Sequence, residues 1–199
     1  MYFFRFKLIF ILLVAVNIRA NAQSLKFLIP DGAVAQYAGS IGYFSAGVSY
    51  DLFPNKRGSL DAMYGFVPGN RGGVLHIAAA KFTYRPWSIG VKDWAKFYPL
   101  NPGAFISYTF HKDLSFKFPS GQYSHDYYYW SEAMRPHLSV SSEVEVNTDK
   151  FIRNTGIKAI GFYIEANTND YYLINYLQNT SALKLNDIFL LGIGTRVKF

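Results

Sequence analysis

The sequence predicts an all-β chain: eight antiparallel strands closed up and down into a barrel, bulky side chains outward and polar ones inward. Three observations carry that prediction. In the final thirteen residues, Asp187 to Phe199, one face reads Phe189, Leu191, Ile193, Thr195, Val197, Phe199, and from Gly192 onward the other reads Gly192, Gly194, Arg196, Lys198. A period of two with bulky groups on one side only describes a strand whose two faces meet different surroundings. The second observation is composition: aromatics make up 19% of the chain and charged residues only 17%, where a soluble domain carries about 25% charge. The third is that no stretch after residue 23 is continuously apolar over the ~20 residues that a membrane-spanning helix needs.

The elements follow in order. Arg5 and Lys7 precede an apolar run from Leu8 to Val16, and Ala20-Asn21-Ala22 has the small-x-small form of a cleavage site. Residues 1–22 therefore read as a secretory signal peptide, too short to cross a bilayer as a helix, with an uncut anchor as the alternative. The mature chain, from Gln23, is one domain by length. Loss of Arg5, Lys7 and Arg19 lowers the formal charge from +7 to about +4 (7 − 3), since all 13 acidic residues lie beyond residue 23. No basic cluster of the kind that binds nucleic acid is present. With Cys 0, lipidation at cysteine and disulfides are excluded. Residues 23–39, which contain Pro30-Asp31-Gly32, are expected to lie outside the barrel wall, and residues 40–199 to form the barrel.

The first strand runs from Ser40 to Tyr50, with Phe44, Ala46 and Val48 against Ser45, Gly47 and Ser49. The second, Ser59 to Val67, sets Leu60, Ala62, Tyr64 and Phe66 against Asp61 and Gly65. The third, Val74 to Tyr84, sets Phe82 against Lys81 and Thr83. The fourth, Gly103 to His111, places Ala104, Ile106, Tyr108 and Phe110 on one face. A Lys112-Asp113 turn leads into a short fifth strand, where Leu114, Phe116 and Phe118 oppose Ser115 and Lys117. The sixth alternates most cleanly: Leu138, Val140, Val144 and Val146 against His137, Ser139, Ser141, Glu143 and Glu145. The seventh, Gly156 to Glu165, turns Ile160, Phe162 and Ile164 outward, and the eighth is the terminal strand. Most of these are about 9 to 13 residues long, the length of a tilted membrane strand.

The terminal strand ending on Phe199, together with the export signal, resembles the closing strand of Gram-negative outer-membrane β-barrels. In pattern the mature chain is similar to the small barrels typified by outer membrane protein A. The resemblance implies a transmembrane barrel in the outer membrane, reached by export and cleavage near Ala22. Outer-membrane lipid and lipopolysaccharide would surround it, and barrel-assembly machinery would read the C-terminal strand, with Phe199 as the signal. It also implies periplasmic termini, a periplasmic residue 23–39 segment, short periplasmic turns and long outer loops. The turns would be Pro68 to Gly73, Lys112-Asp113 and Asn147 to Thr155. The outer loops would be Asp51 to Gly58, Arg85 to Pro102, Pro119 to Arg135 and Ala166 to Asn186. A soluble eight-stranded barrel such as a lipocalin is the competing architecture, and it turns its apolar faces inward.

An eight-stranded barrel is just wide enough for side chains to fill it. The inward set holds Asp61, Glu143 and Glu145, with Glu165 a further candidate, against Lys81, Lys117, Arg196 and Lys198. Buried carboxylates need cationic partners, so these charges are expected to form a network that plugs the lumen, or else to line a narrow polar path. His137, Ser139 and Glu143 share the inward face of one strand and supply the residue types of a nucleophile, base and acid. Same-face neighbours lie nearly ~7 Å apart along a strand, however, which strains any triad within it. No His or carboxylate pair has the spacing of a metal site, and neither a metal nor a cofactor is expected.

Two loops draw notice. Tyr127-Tyr128-Tyr129-Trp130 is either a recognition surface or part of an interfacial aromatic girdle, and residues 170–177 have the pattern of a short amphipathic helix. The leading expectation is a non-enzymatic structural or surface-recognition barrel, possible partners including an extracellular ligand. A narrow channel and an enzyme that modifies lipid A or phospholipid acyl chains stand as alternatives. Under the recognition reading, replacing Tyr127, Tyr128, Tyr129 and Trp130 with Ser abolishes cell-surface or ligand binding while circular dichroism still reports a folded barrel. Undiminished binding by that variant would remove the loop from consideration.

Overall fold

The structure, a computed structural model, describes residues 28–116, 131–148, 151 and 155–199. Its strands are Gly32–Ala38 (β1), Phe44–Leu52 (β2), Gly58–Val67 (β3), Leu75–Tyr84 (β4), Ile89–Val91 (β5), Ala95–Phe110 (β6), Met134–Asn147 (β7), Ala159–Asn169 (β8) and Leu190–Lys198 (β9). Among the described residues one α-helix, Asp170–Gln178 (α1), follows β8 directly, where the amphipathic pattern placed it. Its N-terminus is capped by Asn169, whose side chain accepts from the Tyr172 N–H at 2.8 Å.

Sequence neighbours pair antiparallel throughout, β4 pairs with β6, and β9 returns to β1 with Gly32 opposite Lys198 and Ala38 opposite Gly192. The result is a closed eight-stranded up-and-down barrel, all β in its wall, with β5 as a three-residue addition to the edge of β6. Closure leaves no open edge, so every wall strand has a partner on both sides.

The strand count matches expectation, but two of its members differ. Gly32–Ala38, expected outside the wall, is β1 and completes the barrel, so the barrel begins at Gly32 rather than Ser40. Its outward positions are Ala33, Ala35 and Tyr37, and a single bulky residue at the end of the strand does not register as an apolar stripe. The short strand expected from Leu114 is absent as far as Phe116; its remaining residues, Lys117 and Phe118, lie outside the described part. The expected fourth strand is the second half of a longer one. β6 passes through Pro99 and Pro102, and its register with β7 shifts between Tyr98 and Asn101. A proline cannot donate to a ladder, and an irregularity beside it accommodates the missing donor.

These changes reassign the connections. The end that holds both termini carries residues 53–57, 85–94 and 148–158. The opposite end carries 39–43, 68–74, 111–133 and 170–189. The 68–73 turn therefore shares an end with the two longest loops, and the 51–58 and 85–102 connections share one with the termini, contrary to the expected alternation.

The wall faces outward with its apolar side chains. Leu191 is 72% exposed, Ile164 62%, Phe162 60% and Leu138 57%, and Phe44, Leu60, Tyr64, Phe66, Ile106 and Ile193 are exposed alongside them. Inside, Val34, Met63, Ile77, Ala79, Phe105 and Tyr163 form a small apolar layer with Ile41, which enters from the β1–β2 turn and is fully buried.

That turn lies against β3. The Tyr43 N–H donates to the Phe66 carbonyl at 3.0 Å, and a Cβ on Gly65 would sit 1.5 Å from the Ile41 carbonyl oxygen. Only glycine permits this approach. Gly65→Val is expected to expel Ile41 and lower stability by about 3 kcal/mol, the upper range for overpacking. Urea unfolding of protein refolded into micelles measures it, and an unchanged midpoint would show that the turn does not depend on this contact.

Candidate functional site

Alternation places every second side chain of the wall in the interior, and the inward set is polar. Asp61, Lys81, Arg85, Glu143, Glu165 and Arg196 are all at most 3% exposed. Three ion pairs organise them. Arg196 grips Asp61 with both forks, Nη1 to Oδ1 at 2.6 Å and Nη2 to Oδ2 at 2.8 Å. Ser49 adds a hydrogen bond to Asp61 Oδ1 at 2.7 Å and also meets Arg196 Nη1. Lys81 Nζ donates to Glu165 Oε2 at 2.9 Å and to Gln36 Oε1 at 3.0 Å. Arg85 donates to Glu143 Oε2 through both Nε and Nη2 at 3.2 Å, its guanidinium 5.7 Å from the Tyr98 ring centre.

Gln36 links the layers. Its Oε1 also accepts from the Tyr163 hydroxyl at 3.0 Å, and its Nε2 donates to the Ala38 carbonyl at 3.1 Å. Room for these groups comes from glycine: a Cβ on Gly194 would lie 2.3 Å from the Tyr163 ring and one on Gly192 2.7 Å from Gln36 Nε2. The small inward residues of the terminal strand thus accommodate large neighbours. Arg85, Lys81, Ile41, Gln36, Asn101, Asn167 and Asp61 are the largest fully buried side chains, and they occupy the barrel's interior.

The charged residues singled out from the sequence fall as follows. Asp61 and Arg196 pair with each other. Lys81 takes Glu165, and Glu143 takes Arg85. Glu145 meets Lys198 at 2.7 Å near the end that holds the termini. Lys117, Tyr127, Tyr128, Tyr129 and Trp130 lie outside the described residues. Phe199 closes the seam at that same end, its N–H donating to the Asp31 carbonyl at 2.8 Å and its carbonyl accepting from Lys158 Nζ at 2.8 Å. Arg85 and Gln36 escaped sequence reading because each sat in a segment taken as loop.

His137, Ser139 and Glu143 are not brought into one hydrogen-bonded group among the described residues. His137 Nε2 instead meets Ser107 Oγ at 2.8 Å, from the neighbouring strand. Register explains the exchange: Phe105 stands opposite His137 and Ser107 opposite Arg135, so Ser107 is the diagonal neighbour of His137 on the inward face. The His137 ring stacks on Phe105 with centroids 4.1 Å apart and planes 6° from parallel. Its Nδ1 is buried without a hydrogen-bond partner among the described residues.

This pair lies at the floor of an open hollow of about 500 Å³ at the end opposite the termini. Arg71, Arg135, Asn169 and Tyr172 stand around it, and among the described residues no Asp or Glu lines it. Arg71 is stacked over the Tyr43 ring at 5.2 Å. Arg135 lies 3.6 Å from Asp170, the first residue of α1. Among the described residues no group of three or more His, Cys, Asp or Glu is placed to hold a metal ion.

Comparison with known proteins adds no relative: no protein-family model, no curated protein and no solved structure matches this chain.

The central pair yields a test. Arg196→Met leaves Asp61 buried without its cation, and loss of one member of such a pair costs about 3–5 kcal/mol. The double variant Asp61→Asn with Arg196→Met is expected to recover much of that loss. Equilibrium unfolding in urea of all three variants checks it. A double variant as unstable as the sum of the single losses would mean the two residues do not depend on each other.

Proposed function

We propose that this protein is an integral β-barrel of the outer membrane with a structural and surface-binding role, its lumen sealed. The observation that carries the reading is the inversion of burial: carboxylates, guanidinium groups and amides are inside, while Phe44, Leu60, Ile106, Phe162, Ile164 and Leu191 are outside. In water such a wall would leave a continuous apolar surface far beyond the few hundred Å² that soluble monomers expose. In a bilayer it is the surface that acyl chains cover, and a closed barrel satisfies every backbone group without water.

Aromatic side chains near both ends support the same placement. Exposed Phe53, Trp87 and Trp94 lie toward the termini, and exposed Tyr37, Phe44, Phe66 and Phe110 lie toward the opposite end. Such belts sit at the headgroup level of a membrane protein. The export signal in residues 1–22 fits the same destination. The termini then face the periplasm and the 111–133 and 170–189 connections face outside, which leaves α1 with exposed Tyr171, Tyr172 and Leu177 at the surface.

A pore is the less favoured reading because paired side chains occupy the interior, each cation neutralised by its own carboxylate. The function then belongs to the outer end. The protein is expected in carbonate-washed membranes and in solution only with detergent, and planar bilayers containing it are expected to show no stepwise conductance. Recovery in the soluble fraction would sink the membrane assignment. Reproducible conductance steps would replace the sealed barrel with a channel.

A further inference from the structure

Resting on that surface-binding reading, we propose that the hollow above Ser107 and His137 binds an anionic sugar, a phosphate or carboxylate group carried on a hydroxyl-rich ring. The first argument is charge. Arg71 and Arg135 stand at the hollow, Arg135 with Asp170 3.6 Å away, and among the described residues no carboxylate lines it. Arg71 makes no ion pair among the described residues; its guanidinium rests on Tyr43 and leaves its edge donors free for an oxyanion. The contrast with the lumen is informative. There each arginine is matched by an acid at hydrogen-bond distance, as Arg196 is by Asp61 and Arg85 by Glu143. At the outer end Arg71 has none.

The second argument is the floor. Ser107 and His137 are 4% and 5% exposed, yet both line the hollow. Nε2 is engaged by Ser107 Oγ, and Nδ1 has no hydrogen-bond partner among the described residues. A buried ring nitrogen left unmatched is costly in either tautomer, and a ligand oxygen or hydroxyl would relieve it. The third argument is the rim. The hydroxyls of Ser40 and Thr109 and the amide of Asn169 suit sugar hydroxyls, and Tyr43 and Tyr172 offer rings against which a pyranose can stack. A plain inorganic anion would use the arginines and leave this rim idle.

Two sources share the chemistry: the phosphorylated sugar headgroup of an outer-membrane glycolipid, and a soluble acidic or phosphorylated sugar. The probe is N-acetylglucosamine 1-phosphate, titrated calorimetrically into the full mature chain refolded in a non-ionic detergent, with uncharged N-acetylglucosamine and inorganic phosphate as comparisons. Circular dichroism first establishes that the barrel has formed, so failure to fold, which would count against the membrane reading, is separated from failure to bind. The phosphorylated sugar is expected to bind more tightly than either comparison. Arg71→Gln should weaken it about tenfold or more, in line with loss of a charge-assisted contact. His137→Phe, which keeps a ring against Phe105, should weaken it as well. Displacement of the probe by lipid A in mixed micelles would assign the glycolipid headgroup, and its retention would assign a soluble sugar; both support the site. A folded barrel that does not bind the probe, equal affinity for the uncharged sugar, or unchanged affinity in Arg71→Gln would each overturn it.

Discussion

The structure depends on one constraint: a charge enclosed in a narrow cylinder must have its counter-charge inside the same cylinder. Water cannot solvate Asp61, and removing a carboxylate from water costs several kcal/mol even after relaxation. The bidentate contact with Arg196 offsets that cost, with Ser49 satisfying a further lone pair. The same requirement places Glu165 on Lys81 and Glu143 on Arg85. Those contacts join β3 to β9, β4 to β8, and the residue just after β4 to β7. They cross the barrel rather than running around its wall, so they tie together strands that share no backbone ladder.

Once the interior is filled this way, the remaining chemistry moves to the ends. At the end with the termini, charges cancel locally: Lys198 meets Glu145, and Lys158 reaches the Phe199 carbonyl. At the other end Ile41 closes the apolar layer, and above it Arg135 lies beside Asp170 while Arg71 has no carboxylate partner among the described residues. The Ser107–His137 pair stands at that boundary, buried like the lumen but bordering an open hollow. On the proposed reading, a filled barrel whose two ends differ chemically is suited to holding something at its surface, and poorly suited to passing anything through.

What could be read from residues alone follows from the period of two. Asp61, Lys81, Glu143 and Arg196 were legible as inward because each falls out of phase with apolar side chains at alternate positions: Leu60, Ala62 and Tyr64; Phe82 and Tyr84; Val144 and Val146; Ile193 and Val197. β1 was not legible: its outer face carries Ala33 and Ala35 with only Tyr37 for bulk, and Gln36 gives no hint that it links Lys81 to Tyr163. Leu114 and Phe116 misled in the opposite sense: they alternate, yet as far as Phe116 the described residues form no strand there. Arg85 was read as the start of a loop because it lies one residue beyond β4; it nevertheless continues the inward alternation of Lys81 and Thr83, its N–H still donating to the Arg57 carbonyl at 2.7 Å. Missing β1 inverted the parity of the early connections, so the short 68–74 turn was expected at the wrong end.

The sequence by itself determined which side chains face which way, because alternation is a property of the extended backbone and holds wherever the strand is placed. It also determined that the chain would close with an even number of antiparallel strands and carry charge inside. Tertiary structure alone decided who meets whom. Register between β6 and β7 put Ser107, not Ser139, beside His137, and closure of β9 onto β1 brought residue 196 across to residue 61. Those contacts join positions far apart in the chain, and their geometry is set by strand tilt and stagger, which no local pattern of residues encodes.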